Sequence, residues 1–138
     1  MQVRPITPDY AVSPQIEPED VPGIAAQGFQ VVICNRPDVE IPMELSSDVL
    51  RAAVEAAGLL FVDNPVTHPT MTPERIAAQA EAMGRGRTLA YCASGTRSSI
   101  LWAIANAAEM GPDAVLEATA RAGYDLGALR HRLEAETG

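Results

Sequence analysis

A chain of 138 residues, 47% apolar and 20% charged, can bury one core without disulfide or metal staples, which predicts a single domain over residues 1–138. The net charge of −8 argues against nucleic acid as a general partner, and because all ten basic residues are arginine, lysine Schiff-base and lysine general-base chemistry are excluded. With His68 and His131 the only histidines and Cys34 and Cys92 the only cysteines, neither a histidine-rich metal cluster nor a four-cysteine zinc site can be assembled, so no metal or cofactor is expected.

The N-terminal run Met1-Gln2-Val3-Arg4-Pro5 lacks the apolar segment of a signal peptide, and no later run approaches the length of a membrane span. Two cysteines outside any disulfide-dense pattern suit a reducing compartment, which predicts a cytoplasmic protein with no membrane partner. Residues 1–16 carry Val3, Ile6 and Tyr10 to Val12 between Pro5, Pro8 and Pro14, a pattern of one or two short edge strands. Glu17-Pro18-Glu19-Asp20 opens a short helix with Val21, Ile24 and Ala25 on its apolar face and Gly28 at its end. Phe29 to Cys34 is a nearly continuous apolar run, as expected of a strand covered on both faces, and Asn35-Arg36-Pro37-Asp38 turns the chain after it.

Ser46-Ser47-Asp48 supplies an N-cap cluster for a helix bearing Val49, Leu50, Ala53, Val54 and Ala57, stopped by Gly58. Leu59 to Val62 reads as a strand, Asp63 to Thr70 as a proline-punctuated loop, and Thr72-Pro73-Glu74 as the start of a third helix reaching Gly84. Thr88 to Tyr91 forms another strand ending at Cys92, followed by a small-residue loop and a helix entered at Ser98, with Leu101, Ile104, Ala105 and Ala108 on its buried stripe. Pro112-Asp113 begins a further helix running to Gly123, and Asp125 caps a last one carrying Leu126, Leu129 and Leu133. Tyr91 and Trp102 fall in apolar periodic runs and read as core. Strands alternating with helices predict a three-layer α/β fold with a mainly parallel central sheet, and ligands of such sheets sit beyond the carboxyl ends of the strands.

Cys92 lies at one of those ends. The loop Ala93-Ser94-Gly95-Thr96 presents successive backbone N–H groups to its centre, and a helix capped by Ser98 adds the positive end of its dipole, so the candidate site is a cradle for a small anionic substrate. The same donors and Arg97 favour the thiolate, which makes Cys92 the candidate nucleophile and Arg97 the group that orients the anion. A cysteine at a strand end is also a common packing residue. Gly95, Arg97 and Ser98 at cradle spacing favour the catalytic reading. Arg36 and Asp38 read either as a local surface ion pair or as braces of the active loop, and His68 as a solvated loop residue or a catalytic group.

The segments Val12-Ser13-Pro14-Gln15-Ile16, Val32-Ile33-Cys34-Asn35-Arg36-Pro37-Asp38, Asn64-Pro65-Val66-Thr67 and Cys92-Ala93-Ser94-Gly95-Thr96-Arg97-Ser98 resemble the small bacterial phosphatase-like domain also found in beta-lactamase-hydrolase-like proteins of sulfide metabolism. The resemblance covers nearly the whole chain and implies a fold like that of the dual-specificity phosphatases. Members of that family are described both as phosphatases and as sulfurtransferases. Cysteine phosphatases carry Cys-x5-Arg, whereas four residues separate Cys92 from Arg97, a spacing that resembles the shorter loop of rhodaneses. The phosphatase acid is expected on the loop after the Leu59–Val62 strand, where the aligned positions are Thr67 and His68 and Asp63 falls several residues too early. The dual-specificity-like sheet also implies that Cys34 and Cys92 end neighbouring strands, about 4.8 Å apart, so Cys34 is a candidate resolving thiol for an oxidised or persulfidated Cys92, with core packing as its alternative.

The resulting expectation is a cysteine-dependent sulfurtransferase that holds sulfane sulfur from thiosulfate or a persulfide on Cys92 and yields it to an acceptor thiol or protein, a transfer that needs no general acid. Phosphomonoester or protein phosphatase chemistry through a phosphocysteine, with His68 or Asp63 as an imperfect acid, is the alternative. A non-catalytic anion-sensing module is the third reading, and it leaves a reactive thiol unexplained.

Overall fold

Val12, Ala90 and Ile33 stand in register on three neighbouring strands, and Ala11, Leu89 and Val32, one residue earlier, stand in register on the opposite face. This pleat divides the interior into two cores in the computed structural model, which describes residues 2–137. Five strands carry it: β1 (Arg4–Thr7), β2 (Tyr10–Ser13), β3 (Val31–Cys34), β4 (Leu60–Asp63) and β5 (Thr88–Tyr91). Their order across the sheet is β1-β2-β5-β3-β4, antiparallel at the β1–β2 pair and parallel elsewhere.

Helices α1 (Val21–Ala26) and α2 (Ser47–Ala56) cover one face, where Val21, Ile24, Leu50 and Val54 meet Val32, Leu89 and Tyr91. Helices α3 (Pro73–Met83), α4 (Thr96–Met110), α5 (Pro112–Arg121) and α6 (Arg130–Thr137) cover the other, with Ala82, Leu101, Trp102, Val115 and Leu133 packed against Val12, Val31 and Ile33. The fold is thus the expected three-layer α/β sandwich with a mainly parallel central sheet. Residues 98–104 of α4 are all buried, because α4 runs between α3, α5 and α6 as well as against the sheet, and such a helix needs no polar face. None of the helices among the described residues is long and apolar enough to cross a membrane.

Strand and helix ends shift by a residue or two throughout, and three elements differ in a way that matters to the site or the core. β2 is an interior strand, flanked by β1 and β5, because the prolines that suggested an edge fall elsewhere: Pro5 in β1, Pro8 in the β1–β2 turn, and Pro14 beyond the last β2 residue. α4 starts at Thr96, two residues before Ser98, with Gly95 as its N-cap. The last helix starts only at Arg130, after a single 3-10 turn over Gly127–Leu129, and Asp125 accepts from the Gly127 N–H of that turn instead of capping the helix.

Beneath the carboxyl ends of β3 and β4 lies a buried cluster of polar side chains, none of which the sequence pattern signalled as such. Gln79 on α3 exchanges hydrogen bonds with the Asn35 amide at 2.9 and 3.1 Å, accepts from Asn64 at 2.9 Å and donates to the Tyr10 hydroxyl at 3.1 Å. Tyr10 in turn donates to the Ser98 carbonyl and the Ser98 hydroxyl to Asn35 Oδ1, both at 2.8 Å. Replacing Gln79 by leucine keeps the volume but strips partners from three buried groups, each of which then bears part of its desolvation cost. Urea denaturation of Gln79→Leu should show a loss of about 3 kcal/mol; a neutral effect would mean that the cluster contributes no net stability.

Candidate active site

The alternation that builds the two cores also decides where each cysteine points. Cys34 is the Cα partner of Tyr91, so both face the α1–α2 core, and Cys92, one residue further, belongs to the opposite face. Cys34 Sγ donates to the Arg36 carbonyl at 3.3 Å, and burial pushes its thiol up to about 11. Of the two readings of Cys34, the register favours core packing over a resolving role: the strands are neighbours, but successive residues of a strand alternate between the faces of the sheet, and both thiols are free and buried.

Cys92 is fully buried at the base of the β5–α4 loop, and its Sγ accepts the Gly95 N–H at 3.1 Å. Gly95 makes that approach with φ +94°, and a side chain on it would also run into the Tyr124 hydroxyl. Ala93 and Ser94 form the exposed crest of the loop, and the Ser94 and Thr96 hydroxyls pair at 2.9 Å. Ser98 stands below the loop: its hydroxyl is committed to Asn35, which removes it from the set of anion ligands and gives it a structural task.

Arg97 extends from the first turn of α4 to Glu40, on the turn after β3, and the two side chains meet fork to fork at 2.9 and 2.8 Å. The guanidinium also donates to the Val66 carbonyl at 2.9 Å, which ties it to the loop after β4. Glu40 is braced from behind by Arg36 Nε at 3.2 Å, so Arg36 acts on the site through Glu40 and forms no pair with Asp38. The bond to Glu40 raises the Arg97 pKa, with the Cys92 charge adding to it, and Arg97 together with Arg36 holds the Glu40 carboxyl below its ordinary range.

A cleft of about 450 Å³ opens at this point, lined by Glu40, Thr67, His68, Pro69, Ser94, Thr96 and Arg97. His68 is exposed on its rim. Asp63 is absent from the lining because it is the Cα partner of Cys34 and shares that strand's other face; burial raises its pKa. Asp38 accepts from the backbone and hydroxyl of Ser47 at 2.8 and 3.0 Å, fastening the start of α2, and it too lies outside the cleft. The described residues contain no group of three or more His, Cys, Asp or Glu side chains arranged to hold a metal ion. Glu40 and Tyr124 are site residues that the sequence reading missed. Glu40 sits among other acids in a turn, and Tyr124 is separated from the cysteine loop by two helices, so neither carries a local signal.

A family model described as the phosphatase-like domain of beta-lactamase hydrolase-like protein matches residues 2–109. The beta-lactamase hydrolase-like protein of Xylella fastidiosa is 34% identical in an alignment 132 residues long that covers 92% of this chain and 30% of that protein, so the chain spans about a third of that relative's length. The crystal structure of a candidate phosphatase from Neisseria meningitidis superposes with a TM-score of 0.85 at 31% identity, covering 99% of each chain. A complex of P. aeruginosa TpbA with phosphotyrosine shares the fold at a TM-score of 0.64 and 15% identity, over 98% of this chain and 89% of that one.

The lowered Glu40 carboxyl gives the Arg97–Glu40 pair a pH signature. A group whose folded pKa is depressed contributes stability above its unfolded value, near 4.5, and that contribution is lost as pH falls through the lower folded value. In urea titrations from neutral to strongly acid solution, Glu40→Gln should be less stable than the parent at neutrality, with the gap narrowing below about pH 4.5 and closing in acid. A gap independent of pH would assign the role of Glu40 to packing.

Proposed function

Because the chain belongs to the family of phosphatase-like domains of beta-lactamase hydrolase-like proteins, we propose that it hydrolyses phosphate monoesters through a phosphocysteine on Cys92. The observation that carries this reading is the placement of the Arg97 fork on the cleft side of the same loop whose Gly95 N–H donates to the Cys92 sulfur. Glu40 holds the fork as a phosphoryl group would, with two carboxylate oxygens on two guanidinium nitrogens. A bound phosphate ester takes over those donors while Arg36 retains Glu40. The Cys92 thiolate then attacks phosphorus, an S–P bond forms, and the ester P–O bond breaks with its electron pair leaving on oxygen. Water next attacks the phosphocysteine, the S–P bond breaks back to thiolate, and inorganic phosphate leaves. The phosphotyrosine held by the TpbA neighbour is an ester of the aryl type.

The leaving group decides how far this chemistry goes. Of the two titratable groups besides arginine that line the cleft, Glu40 is held ionised by Arg97 and has no proton to give, and His68 stands exposed on the rim. Aryl esters, whose phenolate leaves without protonation, are therefore the preferred substrates, whereas alkyl esters forgo a general-acid contribution of about 10²-fold to 10⁴-fold. The same lack of a protonated carboxyl in the cleft, together with the four-residue spacing between Cys92 and Arg97, supports sulfur transfer from thiosulfate or a persulfide as a second reading, since that step needs no proton.

Steady-state hydrolysis of p-nitrophenyl phosphate against an alkyl phosphate, with rapid-quench intact mass, separates the readings. The parent should turn over the aryl ester and gain one phosphoryl group on the Cys92 peptide, Cys92→Ser should lose both, and the alkyl ester should be nearly inert. Retention of turnover by Cys92→Ser would overturn every catalytic reading. A mass gain of one sulfur after thiosulfate, with no aryl phosphate hydrolysis, would put the second reading first.

A further inference from the structure

Ser94 and Gly95 share one peptide unit, and its two polar ends are engaged on opposite sides. The Ser94 carbonyl accepts the Tyr124 hydroxyl at 2.8 Å, while the Gly95 N–H donates to Cys92 Sγ at 3.1 Å. A trans peptide is planar, with its C=O and N–H pointing in opposite directions, so fixing the carbonyl also fixes the direction of the N–H. We propose that Tyr124 is a positioning residue for the nucleophile: by holding the Ser94 carbonyl it keeps the Gly95 N–H aimed at the Cys92 sulfur and so sets how much of Cys92 is thiolate.

Tyr124 is well placed for this task. Its ring belongs to the core beneath α4 and α5, and its backbone N–H donates to the Thr119 carbonyl at 2.9 Å. Arg4, on the edge strand, donates to the Ala122 carbonyl at 3.1 Å and sets its guanidinium 5.8 Å from the Tyr124 ring centre, which closes the turn from the far side. Burial raises the Tyr124 pKa, so the phenol remains a donor at neutral pH. Gly95 is the complementary half of the device, since a side chain there would occupy the position of the phenol oxygen. Without the hydroxyl, the peptide is free to rotate and turn its carbonyl toward the sulfur, and a carbonyl dipole there opposes the thiolate that the N–H favours. Tyr124 lies beyond the stretch 2–109 that the family model matches, so the family assignment does not speak to it.

The proposal rests on the preceding reading only in taking Cys92 as the nucleophile, and its test needs no phosphate ester. The rate of iodoacetamide alkylation of Cys92, followed by peptide mass mapping so that Cys34 is scored separately, is measured against pH in the parent and in Tyr124→Phe. The plateau at high pH reports access to the sulfur, and the midpoint reports its proton. Loss of one aimed hydrogen bond should move the midpoint up by about one pH unit, and kcat/KM for p-nitrophenyl phosphate below that midpoint should fall roughly tenfold. Thermal melts confirm that the variant is folded. An unchanged midpoint, whether or not the plateau rises, would overturn the proposal and leave Tyr124 a packing residue. If the parent itself fails to hydrolyse aryl phosphate, the phosphatase reading falls while the alkylation midpoint still decides the role of Tyr124.

Discussion

The amide of Gln79 lies where water does not reach, and it is tolerated only because partners meet it from three other segments: Asn35 after β3, Asn64 after β4 and Tyr10 on β2. An unmatched polar group at that depth costs about 1 to 3 kcal/mol, so the cluster forms as a set or works against the fold. Its geometry has a consequence at the surface. The Ser98 hydroxyl and carbonyl are drawn into the same cluster, which anchors the first turn of α4 directly under the cysteine loop. The loop can therefore be short and still hold a fixed shape, because both of its ends are determined from below: Cys92 by the sheet and Ser98 by the amides.

Arg97 is held by a different balance. Its partner Glu40 is a carboxylate of the chain itself, partly exposed, and an exposed pair contributes little to stability. The functional meaning lies in what the pair excludes. With two oxygens of Glu40 on its two terminal nitrogens, the guanidinium is kept in the orientation that a planar or tetrahedral oxyanion requires, and its reorientation cost is met before any substrate arrives. Arg36, 3.2 Å from Glu40, is a second cation that would hold Glu40 in the proposed mechanism, where a substrate takes the fork. A chain of net charge −8 otherwise offers an anion little attraction, so a cleft with a preoriented arginine is where binding can be gained.

Much of this architecture was legible in the sequence because it depends on local rules. Ser46 and Thr72 accept from the N–H groups of Val49 and Arg75, as N-cap residues do, and β2 to β5 overlap the apolar runs that suggested them to within one or two residues at either end. The cysteine loop was legible through its spacing. What escaped was whatever depends on distant partners. Gln79 in an alanine-rich helix resembles a solvated residue, yet it is fully buried, because the residues that satisfy it lie 15, 44 and 69 positions away. The choice of face for Cys34 turned on one residue of register, which proximity along the sheet could not decide.

That one-residue register also limits the chemistry. Cys34 lies across the sheet, and burial keeps it a thiol at neutral pH, so Cys92 is the one sulfur that stands at the loop. No protonated carboxyl faces it either, because Glu40 is ionised by Arg97 and Asp63 shares the face of Cys34. If Cys92 is the nucleophile, as proposed, it has neither a resolving thiol nor a protonated carboxyl beside it, which favours displacements in which the departing group carries its own negative charge. A phenolate leaving phosphorus and a sulfite leaving sulfane sulfur both satisfy that condition, which is why phosphatase and sulfurtransferase chemistry are compatible with one loop. Discrimination between them then depends on the size of the anion the loop can encircle, a property of the four residues between Cys92 and Arg97 and of the peptide orientation at Gly95.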